Sequence, residues 1–289
     1  MNQKRIFCII LLFMIASLDI CLIQNLEQNH GFGTGEAQLA SQEESLAVLR
    51  ALELPQDAYE QLAESGEGKE LDETAAESLL ASLFCKTYDK ADLKQWKRRE
   101  KPAAPKRYAV YAENVRRLFS DAVYFPVPES SDNEKAGVSY ENSWQSERTY
   151  GGARGHEGCD IMADIQQRGY YPVLSVSDGV VEKMGWLPQG GYRIGIRSKN
   201  GVYFYYAHLA EYEESMAEGL EVAAGQLIGY MGDTGYSEVE GTTGNFPVHL
   251  HFGMYLDDED GNEVSFNPYF LLKILEGNRL VYAYQAEQG

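Results

Sequence analysis

From Tyr124 onward the chain runs in short apolar stretches broken by glycine and turn residues, and most of the gaps are too short to hold a crossover helix. Val173–Val176, Gly179–Trp186, Tyr192–Arg197, Val202–His208, Gln226–Met231 and Val248–Tyr255 all carry strand character. Asn200-Gly201 between two of them is a strong hairpin signal. Parallel neighbours would need crossovers of a dozen or more residues, so the spacing predicts a mainly antiparallel sheet. Asn267-Pro268-Tyr269 then opens a final helix to about Leu275, with Gly277 as its stop.

The region before this reads differently. Leu46, Leu49, Leu52 and Leu54, and then Ala75, Leu79, Leu80, Leu83 and Phe84, recur at roughly helical spacing. Asp72 or Thr74 is placed to cap the second helix, and Tyr108–Phe119 suits a third. Lys101-Pro102-Ala103-Ala104-Pro105 marks a linker or sharp break. The expected organisation is therefore a small helical region over 43–120 and a mainly β domain over 121–289, the helical region serving either as a spacer or as a docking or covering element. Residues 25–42, polar and containing Gly31, Gly33 and Gly35, read as a flexible tether, with His30 a solvated residue in it. Residues 1–24 carry Lys4 and Arg5 before an apolar run from Ile6 to Ile23, broken by Ser17 and Asp19. That pattern is expected of an export signal, either cleaved or kept as a membrane anchor, and it places the rest of the chain outside the cytoplasmic membrane.

Charge narrows the partners. The chain carries 44 acidic against 25 basic residues, a net charge of −19. Phosphate backbones need a basic footprint, so nucleic acid is excluded as a partner, and electrostatic attachment to an anionic membrane is disfavoured. The four cysteines show no paired spacing, which argues against a disulfide framework or a Cys-type zinc module.

Four of the five histidines fall in three short motifs: His156-Glu157-Gly158-Cys159-Asp160, Tyr206-Ala207-His208-Leu209 and His249-Leu250-His251. Alternate residues of a strand share a face, so His249 and His251 point the same way, and simple parity pairs Tyr206 with His208. His156 and Asp160 lie on one side of either a strand or a helical turn, and Gly158 removes bulk between them. Two imidazoles and a carboxylate suit a catalytic zinc that keeps one position open for water. Two histidines of the cluster would then be ligands and two would move protons. Cys159 has the wrong parity to join them. Tyr206 either polarises a substrate carbonyl or packs in the core, and Arg154 either orients a carboxylate or lies on the surface.

These motifs resemble the M23, or lysostaphin/LytM-type, metallopeptidases. Asp178-Gly179-Val180-Val181, Gly225-Gln226-Leu227-Ile228-Gly229 and Gly232-Asp233-Thr234-Gly235 are similar to further signatures of that family, and the likeness covers roughly Tyr150 to Tyr255. The resemblance implies an antiparallel β-sheet groove holding one Zn2+, with His156, Asp160 and His251 as ligands and His208 and His249 handling the water and the transition-state charge. It implies peptide bonds of bacterial peptidoglycan, in the stem peptide or cross-bridge, as substrate. Tyr236–Val248 is longer than the family's usual approach to His-x-His, and Val248 stands where proline is common. Two other readings compete. A catalytically silent envelope scaffold, or an activator of another cell-wall hydrolase, is expected to have lost ligands. A biotinyl- or lipoyl-type carrier needs a displayed lysine, for which Lys183-Met184-Gly185 is a poor fit.

Overall fold

The computed structural model describes residues 42–64 and 71–284. The apolar run Ile6–Ile23, the tether with His30, and Gly66 and Gly68 lie outside them. Among the described residues no helix is long and apolar enough to cross a membrane.

Among the described residues five helices come first: α1 (Gln42–Ala51), α2 (Gln56–Glu64), α3 (Glu73–Cys85), α4 (Lys90–Ala103) and α5 (Pro105–Ser120). Of the two candidate caps for α3, Asp72 is the one used: its carboxylate accepts the Ala75 amide at 2.7 Å. Helix α4 is a feature the sequence reading left out. Its run of lysines and arginines shows little apolar periodicity, yet Asp89 caps it and it buries Leu93 and Trp96. The proline-rich segment makes a sharp break and no linker. Pro102 sits in the last turn of α4, Ala104 leaves helical geometry, and Pro105 occupies the first turn of α5, where its missing N–H costs nothing. Trp96 stacks between Phe84 and Tyr108, with ring centroids at 5.2 and 6.0 Å. That aromatic run ties α3, α4 and α5 together.

The remaining chain is β structure, apart from α6 (Tyr269–Leu275). The strands are β1 (Glu129–Ser130), β2 (Val138–Tyr140), β3 (Glu147–Arg148), β4 (Arg154–Gly155), β5 (Cys159–Ala163), β6 (Pro172–Leu174), β7 (Gly179–Leu187), β8 (Gly191–Ser198), β9 (Tyr203–Tyr212), β10 (Glu221–Val222), β11 (Leu227–Met231), β12 (His249–Asp257), β13 (Glu263–Phe266) and β14 (Val281–Tyr282). In the ten-stranded main sheet β8, β9, β12 and β5 run side by side, and every pairing in that sheet is antiparallel. The Asn200-Gly201 turn joins β8 to β9 as expected, with Gly201 at φ +81° and the Ser198 amide bonded to the Val202 carbonyl.

The described residues form one compact unit, and the buried apolar side chains of helices and sheet make one continuous core. Helix α1 packs on β13 and α2 on α6. The joint is also polar. The Asn267 amide donates to the Arg50 carbonyl at 2.8 Å, and its side chain donates to the Ala51 carbonyl. Asp121 at the end of α5 accepts both the backbone and side-chain N–H groups of Asn200. These bonds satisfy groups that the hydrophobic contact would otherwise strand without water.

Candidate active site

The site rests on one register. His251 of β12 lies directly opposite Asp160 of β5, so their side chains leave the same face of the sheet. Two residues along β12, His249 follows on that face. His156 comes from the short connection before β5. The three atoms His156 Nε2, Asp160 Oδ1 and His251 Nδ1 form a triangle with sides of 2.9, 3.0 and 3.1 Å.

Two imidazole nitrogens 3.0 Å apart, both aimed at one carboxylate oxygen, make a donor set that a cation satisfies better than protons do. Zinc ligands at 2.0–2.1 Å in a tetrahedron stand about 3.3–3.4 Å from each other, so small outward shifts would seat such an ion. The three side chains therefore fit a divalent metal, and among the described residues they are the group with metal-binding geometry.

The surrounding bonds set the orientation. His156 turns Nδ1 to Ser143, 2.9 Å from its hydroxyl, leaving Nε2 for the site. The second oxygen of Asp160 accepts from Arg148 Nη2 at 2.5 Å. Burial alone would raise the Asp160 carboxyl, but its hydrogen bonds with His156 and His251 outweigh that and hold it well below the usual carboxylate range. Gly158 is required by contact. A Cβ there would stand 2.4 Å from His251 Cε1 and 2.8 Å from the Phe252 carbonyl oxygen.

His208 and His249 stand beside the triangle, their rings 4.7 Å apart. His208 Nδ1 lies 2.8 Å from the Thr234 carbonyl and His249 Nδ1 2.8 Å from that of Pro247. A carbonyl only accepts, so each Nδ1 carries the proton and each Nε2 presents a lone pair. Burial pushes both imidazoles below their ordinary pKa, His208 strongly so. Both are neutral at pH 7.

Tyr206 is a correction. Its ring is fully buried and its hydroxyl accepts the Val176 amide at 2.8 Å. It lies opposite Phe252, on the core side, whereas Ala207 lies opposite His251 on the site side. By alternation His208 would then join Tyr206 in the core. It does not, because His208 has φ +62° and the β9 pairings slip on both sides of it. A left-handed non-glycine residue costs about 1–3 kcal/mol and is held by its surroundings, here partly by the His208 amide bond to the Gly190 carbonyl. The groove tyrosine is Tyr205. Cys159, fully buried, bonds the Glu141 carbonyl, and burial pushes its thiol up to about 12.

The groove over these residues encloses ≈ 330 Å³. Tyr205, Tyr255 and Tyr236 line it with Gln189 and Gly190, and Arg148, Arg154 and Glu157 add charge. Tyr150 of the β3–β4 hairpin stacks on Tyr236 at 4.6 Å, and Phe246 lies 4.6 Å from the His208 ring. The long segment Tyr236–Val248 thus supplies an aromatic wall beside His208. The Asp164–Tyr171 loop lies outside the groove lining and works as a brace, with Arg168 gripping Asp233.

Residues 154–268 match the model of peptidase family M23. A crystal structure assigned as a glycyl-glycine endopeptidase, LytM, from Ruminococcus gnavus ATCC 29149 is 40% identical, with a TM-score of 0.70 over 82% of this chain and 94% of that one. The chain belongs to peptidase family M23.

The Ruminococcus likeness reaches beyond the family match into the helices. Among curated relatives, the L-Ala–D-Glu endopeptidase of Bacillus subtilis (strain 168) is 43% identical over 164 residues, 57% of this chain and 46% of its own length. Lysostaphin of Staphylococcus simulans is 35% identical over 99 residues, 34% of this chain and 17% of its own length. The chain therefore spans less than half of these curated M23 relatives.

Proposed function

We propose that this chain is an exported, zinc-dependent M23 endopeptidase that hydrolyses a peptide bond of bacterial peptidoglycan. The observation that carries the reading is the convergence of His156 Nε2, Asp160 Oδ1 and His251 Nδ1 within 3.1 Å of one another. Those three would hold the ion, which when bound supplies Lewis-acid polarisation of a peptide carbonyl and makes a water more acidic. His208 presents an unprotonated Nε2 in the groove and His249 one beside the ligand triangle, 3.8 Å from Asp160 Oδ1, so either can take a proton from the attacking water and return it to the leaving amine. Arg148 holds the second oxygen of Asp160 and so keeps the carboxylate aimed. Membership of family M23 supports peptidoglycan peptides as substrate, and the name of the Bacillus L-Ala–D-Glu endopeptidase supports a bond next to an acidic residue. The apolar run after Lys4-Arg5 supports action outside the cytoplasmic membrane. A silent scaffold is disfavoured, since all five side chains keep usable donor atoms.

The test is digestion of purified peptidoglycan by the full chain loaded with Zn2+, followed by muropeptide analysis. New amino termini within stem peptides or cross-bridges are expected, and none with His251→Ala or after chelation. Intact muropeptides with a protein shown to hold one zinc would overturn the reading.

A further inference from the structure

Two arginines face each other across the β3–β4 pair. Arg148 and Arg154 are direct partners in its register, and both side chains line the groove. Like charges directly opposite on a strand pair are destabilising. For Arg148 the cost is offset, because its guanidinium grips Asp160. Arg154 has no such relief. Its Nε is buried without a hydrogen-bond partner. The carboxylates that line the groove are also engaged elsewhere, Asp160 by Arg148 and Glu157 by Arg50 at 2.7 Å.

A guanidinium that lines a groove opposite another cation, with one buried nitrogen unsatisfied, gains by pairing with an anion. The guanidinium fork matches a carboxylate in two parallel hydrogen bonds, so a carboxylate suits it better than a single-atom acceptor. We propose that Arg154 is a specificity-determining residue that receives a free carboxylate of the substrate, and that the substrate is a peptide with an acidic residue at or next to the bond that is cut. The proposal rests on the peptidase reading above. A single residue, Gly155, separates Arg154 from His156, and Arg154 lies across the strand pair from the arginine that holds Asp160, so a carboxylate seated on it belongs to a residue beside the reacting bond. The global field makes this anchor matter more. A chain of net charge −19 repels an acidic peptide at long range, and a local cation in the groove is what reverses the sign.

The experiment pairs two synthetic peptides that differ in one group, Glu or its uncharged isostere Gln beside the scissile bond. Values of kcat/KM are measured at pH 7 with the full zinc-loaded chain, Arg154→Met and Arg154→Lys. The unmodified chain is expected to prefer the Glu peptide at least tenfold. Arg154→Met should lose at least tenfold on the Glu peptide, much less on the Gln peptide, and bring the ratio near one. Arg154→Lys should restore part of the preference. Absence of preference in the unmodified chain, or an equal fall on both peptides in Arg154→Met, overturns the proposal. If neither peptide is cut, the peptidase reading is what fails. Fluorescence anisotropy with the same two peptides then decides on Arg154. Tighter binding of the Glu peptide that is lost in Arg154→Met sustains the anchor, and equal binding ends it.

Discussion

Replacing Gly158 by alanine is the sharpest test of how the ligands are held. The added methyl would stand 2.4 Å from Cε1 and 2.6 Å from Nε2 of His251, and 2.8 Å from the backbone oxygen of Phe252. Ordinary carbon contacts begin near 3.4 Å, so the ring must retreat by about 1 Å, or the two backbones must part. The Phe252 oxygen belongs to β12, whose ladder with β5 is fixed by the same register that aligns His251 with Asp160, so the ring gives way. Metal-ligand distances tolerate about 0.2 Å, and a 1 Å displacement removes one ligand of three. Gly158→Ala should therefore lower zinc affinity at least a hundredfold while costing about 1–3 kcal/mol of metal-free stability, the usual range for overpacking. Competition with a chromophoric chelator gives the affinity, and thermal melts of the metal-free protein give the stability. Gly277→Ala is the control, because a methyl there meets nothing within 4 Å. Zinc affinity in Gly158→Ala equal to that of Gly277→Ala would show that His251 is not held by this contact and would refute the packing argument.

Three more outcomes follow from the same geometry. Arg148→Met removes the partner of Asp160 Oδ2 and should weaken zinc binding about 10–100-fold without unfolding the chain, as read by the same chelator competition. Tyr206→Phe strips a buried acceptor from the Val176 amide and should cost about 1–3 kcal/mol in denaturant melts, with kcat unchanged; Tyr205→Phe should instead alter KM. In the metal-free protein, His208, His249 and His251 sit below the ordinary imidazole value, chiefly through burial. The unfolded chain then binds more protons below about pH 6.5, so stability is whole above that pH and falls as pH drops toward 5, by up to about 1.4 kcal/mol per unit for each histidine; a flat stability profile from pH 7 to 5 by urea melts would contradict it.

The antiparallel sheet was legible because its signal is local. Apolar runs too closely spaced for crossovers, and an Asn-Gly turn, restrict the pairing before any tertiary contact is known. Helix α4 was not legible for the same reason in reverse. Its exposed face is so basic that its two buried apolar residues, Leu93 and Trp96, do not make a periodic pattern. Nor does sequence spacing reveal that helices and sheet share one core, since the joint is made by Arg50 and Ala51 meeting Asn267 more than two hundred residues away.

Within the site, strand parity worked where the ladder is regular and failed where it slips. His249 and His251 share a face because β12 pairs with β5 without a bulge across both of them. Tyr206 and His208 part company because the backbone turns left-handed at His208. Had alternation continued, the imidazole would lie in the core among Leu250 and Phe252, and Nδ1 would have lost the Thr234 carbonyl that fixes its tautomer. The strained conformation is thus what moves this imidazole from a core position to the groove. Arg148 escaped notice for a different reason: a two-residue strand leaves no pattern, and its importance comes only from lying across from Arg154 and against Asp160. One arginine of that pair is neutralised by Asp160, and the other keeps an unpaired Nε. Removing the Asp160 carboxylate should then leave Arg148 free to compete with Arg154 for a substrate anion, binding the acidic peptide while abolishing its cleavage.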